Sequence, residues 1–174
     1  LGIRETLTRT LLPNTTYYLR VASNALPVNS VGAYSIAVFR VATPPANDNC
    51  SGAVTLAANT PVVSGNTGDA TASTGFTSCG IGNANDDVWY SFTATGTFST
   101  ISVVPGAGFN PVVQVLTGAC GTQTSVSCTN ASGVNGTETV NITTVPGTTY
   151  FVRVYDFAAS TPATGFTITL TTPV

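Results

Sequence analysis

Apolar and polar residues alternate along most of this 174-residue chain. Val88, Tyr90 and Phe92 alternate with Trp89 and Ser91, and Tyr150, Val152 and Val154 with Phe151 and Arg153. Phe166, Ile168 and Leu170 alternate with threonines. A period of two sends successive side chains to opposite faces, so these segments predict half-buried strands looking into a core. Further strands are expected near 53–57, 61–64, 98–104, 111–117 and 137–145. Pro105-Gly106, Asn135-Gly136 and Pro146-Gly147 supply turn chemistry between them. No stretch joins a 3.6-residue period to helix caps, so no helix is expected. The pattern predicts an all-β fold, an antiparallel β-sandwich wound as a jelly roll.

One strand pattern occurs twice. Pro13-Asn14-Thr15-Thr16-Tyr17-Tyr18-Leu19-Arg20-Val21 returns as Pro146-Gly147-Thr148-Thr149-Tyr150-Phe151-Val152-Arg153-Val154, an offset of 146 − 13 = 133 residues. Gly32 and Gly165 keep that offset, and Tyr34–Val38 matches Phe166–Leu170 after one extra residue. A period of this size means tandem domains rather than short solenoid units. Residues 1–44 are therefore expected to hold the C-terminal strands of a preceding, incomplete sandwich, near 6–11, 15–23 and 33–42. Residues 45–174 are expected to form one complete repeat, with Thr43-Pro44-Pro45-Ala46-Asn47-Asp48-Asn49 as a stiff linker. Either the rest of the first sandwich or strand donation from another chain would complete residues 1–44.

Composition narrows the function. Charged residues make up 7% of the chain, against about 25% in an average soluble domain. Five arginines, no lysine and a net charge of −2 make nucleic acid an unsuitable partner. No apolar run is long enough to cross a bilayer, so membrane insertion is not expected. Neither Met nor a signal peptide is seen, and the chain reads as a processed or internal piece.

Four cysteines, Cys50, Cys79, Cys120 and Cys128, lack metal-binding spacing and histidine partners. In a Thr/Asn/Gly-rich chain they read as two disulfides in an oxidising, extracellular compartment. Three connectivities exist, of which 50–79 with 120–128 is the expected one, each bond closing a local loop.

Residues 45–174 resemble the pre-peptidase C-terminal-like modules of secreted bacterial proteins, and more closely their tandem forms on Bacteroidota surface proteins. The likeness is carried by Asn47-Asp48-Asn49-Cys50, Asn85-Asp86-Asp87-Val88-Trp89-Tyr90-Ser91-Phe92, Gly118-Ala119-Cys120-Gly121 and Gly136-Thr137-Glu138. The Gly147–Val154 strand completes the pattern. The resemblance implies a jelly-roll accessory domain of hydrolases, adhesins or gliding-type filaments at the cell surface, often delivered by type IX secretion. It implies no catalytic activity.

The residues agree. Without His or Lys, and with the cysteines paired, Ser–His and Cys–His nucleophile pairs are ruled out by composition, which leaves only a carboxylate pair. Adjacent Asp86 and Asp87 would face opposite ways on a strand and form no ready acid/base pair. The chain is not expected to be an enzyme, and no cofactor is required. Calcium takes six to eight oxygen ligands, and Asn47, Asp48, Asp86 and Asp87 are candidates, Asp48 and Asp87 foremost. Related modules in collagenases bind calcium near the linker; the other reading is that these Asx residues simply build turns. Trp89 either packs in a core or against a neighbouring domain, or forms a ligand platform for a sugar. Arg20 and Arg153 recur at equivalent positions, which suggests a structural role such as pairing with Asp.

The expected function is a non-catalytic structural or adhesive repeat of a large extracellular, cell-surface protein or filament. Its partners would be neighbouring repeats of the same protein, homopolymeric in a filament, or a surface glycan. The alternatives are a carbohydrate-binding accessory module of a secreted hydrolase and a fibre subunit assembled by strand donation.

Overall fold

The computed structural model describes residues 5–12, 15–22, 33–39, 41–76, 79–158 and 165–173. Pro13, Asn14 and Gly32 of the duplicated pattern lie outside them. The chain divides into two compact units, Leu1–Phe39 and Arg40–Val174. Among the described residues of the first unit no strand ladder forms, unlike the strands expected there. A strand exists only against a partner edge, and the described residues of this unit supply none.

The second unit is all-β. After a single 3-10 turn (Cys50–Gly52) come β1 (Val54–Thr55), β2 (Val63–Asn66), β3 (Val88–Thr93), β4 (Phe98–Pro105) and β5 (Pro111–Thr117). They are followed by β6 (Thr124–Thr129), β7 (Glu138–Thr143), β8 (Thr149–Asp156) and β9 (Gly165–Thr171). Two sheets form, ordered β1-β3-β8-β5-β6 and β2-β9-β4-β7. Every ladder is antiparallel except the two-residue β1–β3 pair. From β2 to β5 each strand passes to the opposite sheet, which is the jelly-roll winding expected from the sequence. Among the described residues no helix is long and apolar enough to cross a membrane.

Alternation explains the core. Val88, Tyr90 and Phe92 of β3, Val152 and Val154 of β8, and Ile168 and Leu170 of β9 fill the space between the sheets. Burying each such side chain stabilises the fold by about 1.5–3 kcal/mol. Phe92 stacks on Tyr150 with ring centroids 5.4 Å apart, and Phe109 on Phe166 at 5.6 Å. Gly65 of β2 leaves room for this packing. A Cβ there would run into the Tyr90 hydroxyl and the Phe166 ring.

The five-stranded sheet is buried on both sides. In β5 the residues from Pro111 to Leu116 are all buried, although alternate ones point away from the core. What covers them is the irregular segment 67–87, described at 67–76 and 79–87. Left-handed backbone at Asp69, Gly75, Gly80 and Gly82 keeps it from continuing as a strand.

Candidate functional site

One rung of the five-stranded sheet gathers most of the polar chemistry. Trp89 on β3 is paired with Arg153 on β8, Arg153 with Gln114 on β5, and Gln114 with Cys128 on β6. All four side chains leave the sheet on its outward face, beneath segment 67–87. Trp89, Arg153 and Gln114 are fully buried there.

Arg153 holds the centre. Its Nε donates to Asp87 Oδ2 at 2.9 Å, Nη1 to Gln114 Oε1 at 3.4 Å and Nη2 to the Ala84 carbonyl at 3.5 Å. The guanidinium lies 4.6 Å from the ring centroids of both Phe76 and Tyr155. A planar cation held edge-on by a carboxylate and face-on by aromatics is well compensated for loss of water. The Tyr155 hydroxyl donates to the Ile81 carbonyl at 2.6 Å. Burial pushes its pKa up; Arg153 pulls it down and Asp87 pushes it up.

The Asx residues singled out as calcium ligands tie segment 67–87 down. Asp48 accepts the Thr71 amide at 2.5 Å and the Thr71 hydroxyl at 2.8 Å. Asp87 accepts the Ser73 amide at 2.8 Å as well as Arg153. Asn47 accepts the Trp89 amide at its carbonyl and donates its side-chain amide to the Trp89 carbonyl, extending the sheet edge. Asp86 is buried just before β3. A guanidinium already occupies the position a cation would need beside Asp87, and both Asp48 oxygens hold Thr71. Among the described residues no three acid or cysteine side chains gather as a metal site requires. This donor set does not fit calcium.

Trp89 lies under segment 67–87, at the wall of a cleft. Its indole is fully buried, edge-on to Phe76 at 5.1 Å, with Nε1 donating to Ser73 Oγ at 2.9 Å. Alternation correctly put it on the face away from the core, but that face is roofed.

The disulfides also differ from the local pairing expected. Cys50 joins Cys120, and Cys79 joins Cys128, with Cα–Cα distances of 5.7 and 6.0 Å. Cys120 sits in the turn after β5, whereas Cys128 lies four residues beyond Thr124, where β6 begins. Four strand residues span roughly 13 Å, beyond the reach of a disulfide. Cys120 instead meets the 3-10 turn at the start of the module, and Cys128 meets the cover above its own rung.

A cleft of about 310 Å³ opens beside this cluster, between Asn49, Ser73 and Phe76 on one side and Gly121 and Gln123 on the other. Gln123 is buried, with its amide on Cys50 Sγ at 2.7 Å and its carbonyl on the Gly121 amide at 2.8 Å. The cover segment, Gln114 and Gln123 escaped the sequence pattern, whereas the pairing of Arg153 with an Asp was expected and Asp87 is its partner.

None of the curated proteins matches this chain in sequence. A solved structure, the pre-peptidase C-terminal domain of collagenase from Bacillus anthracis, is similar at 16% identity and a TM-score of 0.44. That similarity covers 68% of this chain and 93% of the other. The family model described as "Galactose binding domain-like", of the type associated with type IX secretion, matches residues 46–168. The chain belongs to this galactose-binding-domain-like family, and the matched residues lie within the sandwich just described.

Proposed function

We propose that the chain is part of a non-catalytic extracellular protein in which sandwiches of this type act as stiff structural or adhesive repeats at the cell surface. One observation carries the reading. The cation, carboxylate, indole and amide that could act on a ligand are buried in one closed cluster, under a cover tied to the sheet by Cys79–Cys128. Such a cluster resists opening and offers no reactive group to solvent. The partners of the module would be neighbouring repeats, and the family association supports export by type IX secretion.

A second reading is favoured by the cleft. Half-buried Phe76 and the polar rim of Asn49, Ser73 and Gln123 suit one sugar ring, in keeping with the galactose-binding description of the family. A glycan array probed with the 174-residue chain separates the two. The structural reading expects no saturable binding. Saturable binding that free galactose competes away would replace it with the carbohydrate-binding one.

A further inference from the structure

The first unit carries exposed apolar residues whose counterparts in the second unit are buried. Tyr17 is 49% exposed where Tyr150 is 5%, and Val38 is 86% exposed where Leu170 is 3%. Leu19, Val21, Tyr34 and Ile36 repeat the contrast with Val152, Val154, Phe166 and Ile168. The correspondence extends further forward. Glu5-Thr6-Leu7-Thr8-Arg9-Thr10 aligns with Glu138-Thr139-Val140-Asn141-Ile142-Thr143 at 138 − 5 = 133 residues, the offset of the duplicated strand. Leu7 is 68% exposed, and its counterpart Val140 3%. Arg9 departs from the pattern, standing for Ile142 on an edge strand, where a long side chain can still reach water.

Segments 5–10, 15–22 and 33–39 thus align in sequence with β7, β8 and β9. In the complete sandwich these three strands never pair with one another. β7 bonds to β4, β8 lies between β3 and β5, and β9 lies between β2 and β4. Their ladder partners all belong to the β2–β5 set. That is why the described residues of the first unit hold no ladder: the topology gives them nothing to bond among themselves.

We propose that segments 5–10, 15–22 and 33–39 are a docking surface for the β1–β6 strand set of another sandwich of this type, carried on the same polypeptide ahead of Glu5. A second copy of this chain does not suit, because its β8 and β9 already fill both slots. A separate β1–β6 fragment would leave two gaps open in its own sheets. Connection in cis is easy, since only residues 130–137 separate β6 from β7 in the complete module. This inference goes beyond the proposed function and is independent of what the cleft binds.

Hydrogen exchange read by mass spectrometry tests it on two chains, the 174-residue protein and one extended by a copy of residues 45–137 joined to Glu5. In the first, a monomer is expected, with amides of 5–10, 15–22 and 33–39 exchanging within seconds. In the extended chain the same amides should slow by roughly 1,000-fold or more. Leu19→Asp should remove that protection while leaving 45–174 unchanged. Unprotected front segments in the extended chain, or a dimer of the original chain with those segments protected, would overturn the proposal. A chain ending at Val145 gives a second measurement. Its front segments should stand in for the deleted β8 and β9, so that it melts cooperatively where residues 45–145 alone do not; equal loss of structure in both would count against the assignment.

Discussion

Tyr90 shows how far a single residue was legible. Its place on β3 put it in the core, and the structure keeps it there, with its hydroxyl above Gly65. Burial pushes its pKa from 10.0 up to about 12, offset in part by a hydrogen bond with the Asn47 side chain. The fold therefore favours the protonated phenol. That contribution is complete below pH 10, the unfolded value, and is lost as pH rises through about 12. A two-unit shift is on the order of 2–3 kcal/mol. Denaturant melts of the protein should show midpoints falling between pH 10 and 12. In Tyr90→Phe the fall should be much shallower, with the remainder left to Tyr155, whose pKa burial also raises. Parallel curves for the two proteins would refute this origin. Trp89, Asp48 and Asp87 were harder to read than Tyr90. Alternation tells which face a side chain takes, but not what lies over that face. An Asx-rich loop looks the same whether it holds an ion or a neighbouring amide.

At the level of elements, the strands with strong apolar alternation were all visible in the sequence, and β6 was not. Thr-Ser-Val-Ser-Cys-Thr carries one valine and lies at a sheet edge, so it has little burial to advertise. Segment 67–87 was invisible for a related reason: its order comes from side-chain anchors on other elements, not from any period of its own. The pairing of the cysteines followed from that segment, because Cys79 reaches β6 only once the cover lies across the sheet. The loops closed, with separations of 70 and 49 residues, are worth roughly 4 kcal/mol each by loop-closure entropy. Cys79→Ser with Cys128→Ser should lower the melting temperature and speed exchange at 79–87. Exchange in β4 and β9, on the opposite sheet, should change little. Equal acceleration in both sheets would mean that the cover is not a separate cooperative unit.

For the whole molecule, the β-sandwich class could be read from the two-residue period alone, and the family match agrees with the class; the tandem pattern is what the duplicated strand leads one to expect. In the proposed role of a stiff repeat, the module must also resist tension. The Cys50–Cys120 bond shields a 70-residue stretch from force applied at the two ends of the module. In single-molecule pulling, reduction should lengthen the unfolded module by about 230–250 Å at roughly 3.3–3.6 Å per residue. An unchanged length would mean that the bond does not form. The strand order also sets a clock. β8 and β9 come last in the chain, yet each is an interior strand that joins two neighbours within its sheet. A polypeptide emerging N-terminus first can therefore close neither sheet until its final strands have appeared. Until β8 and β9 are in place, nothing bonds β3 to β5 or β2 to β4.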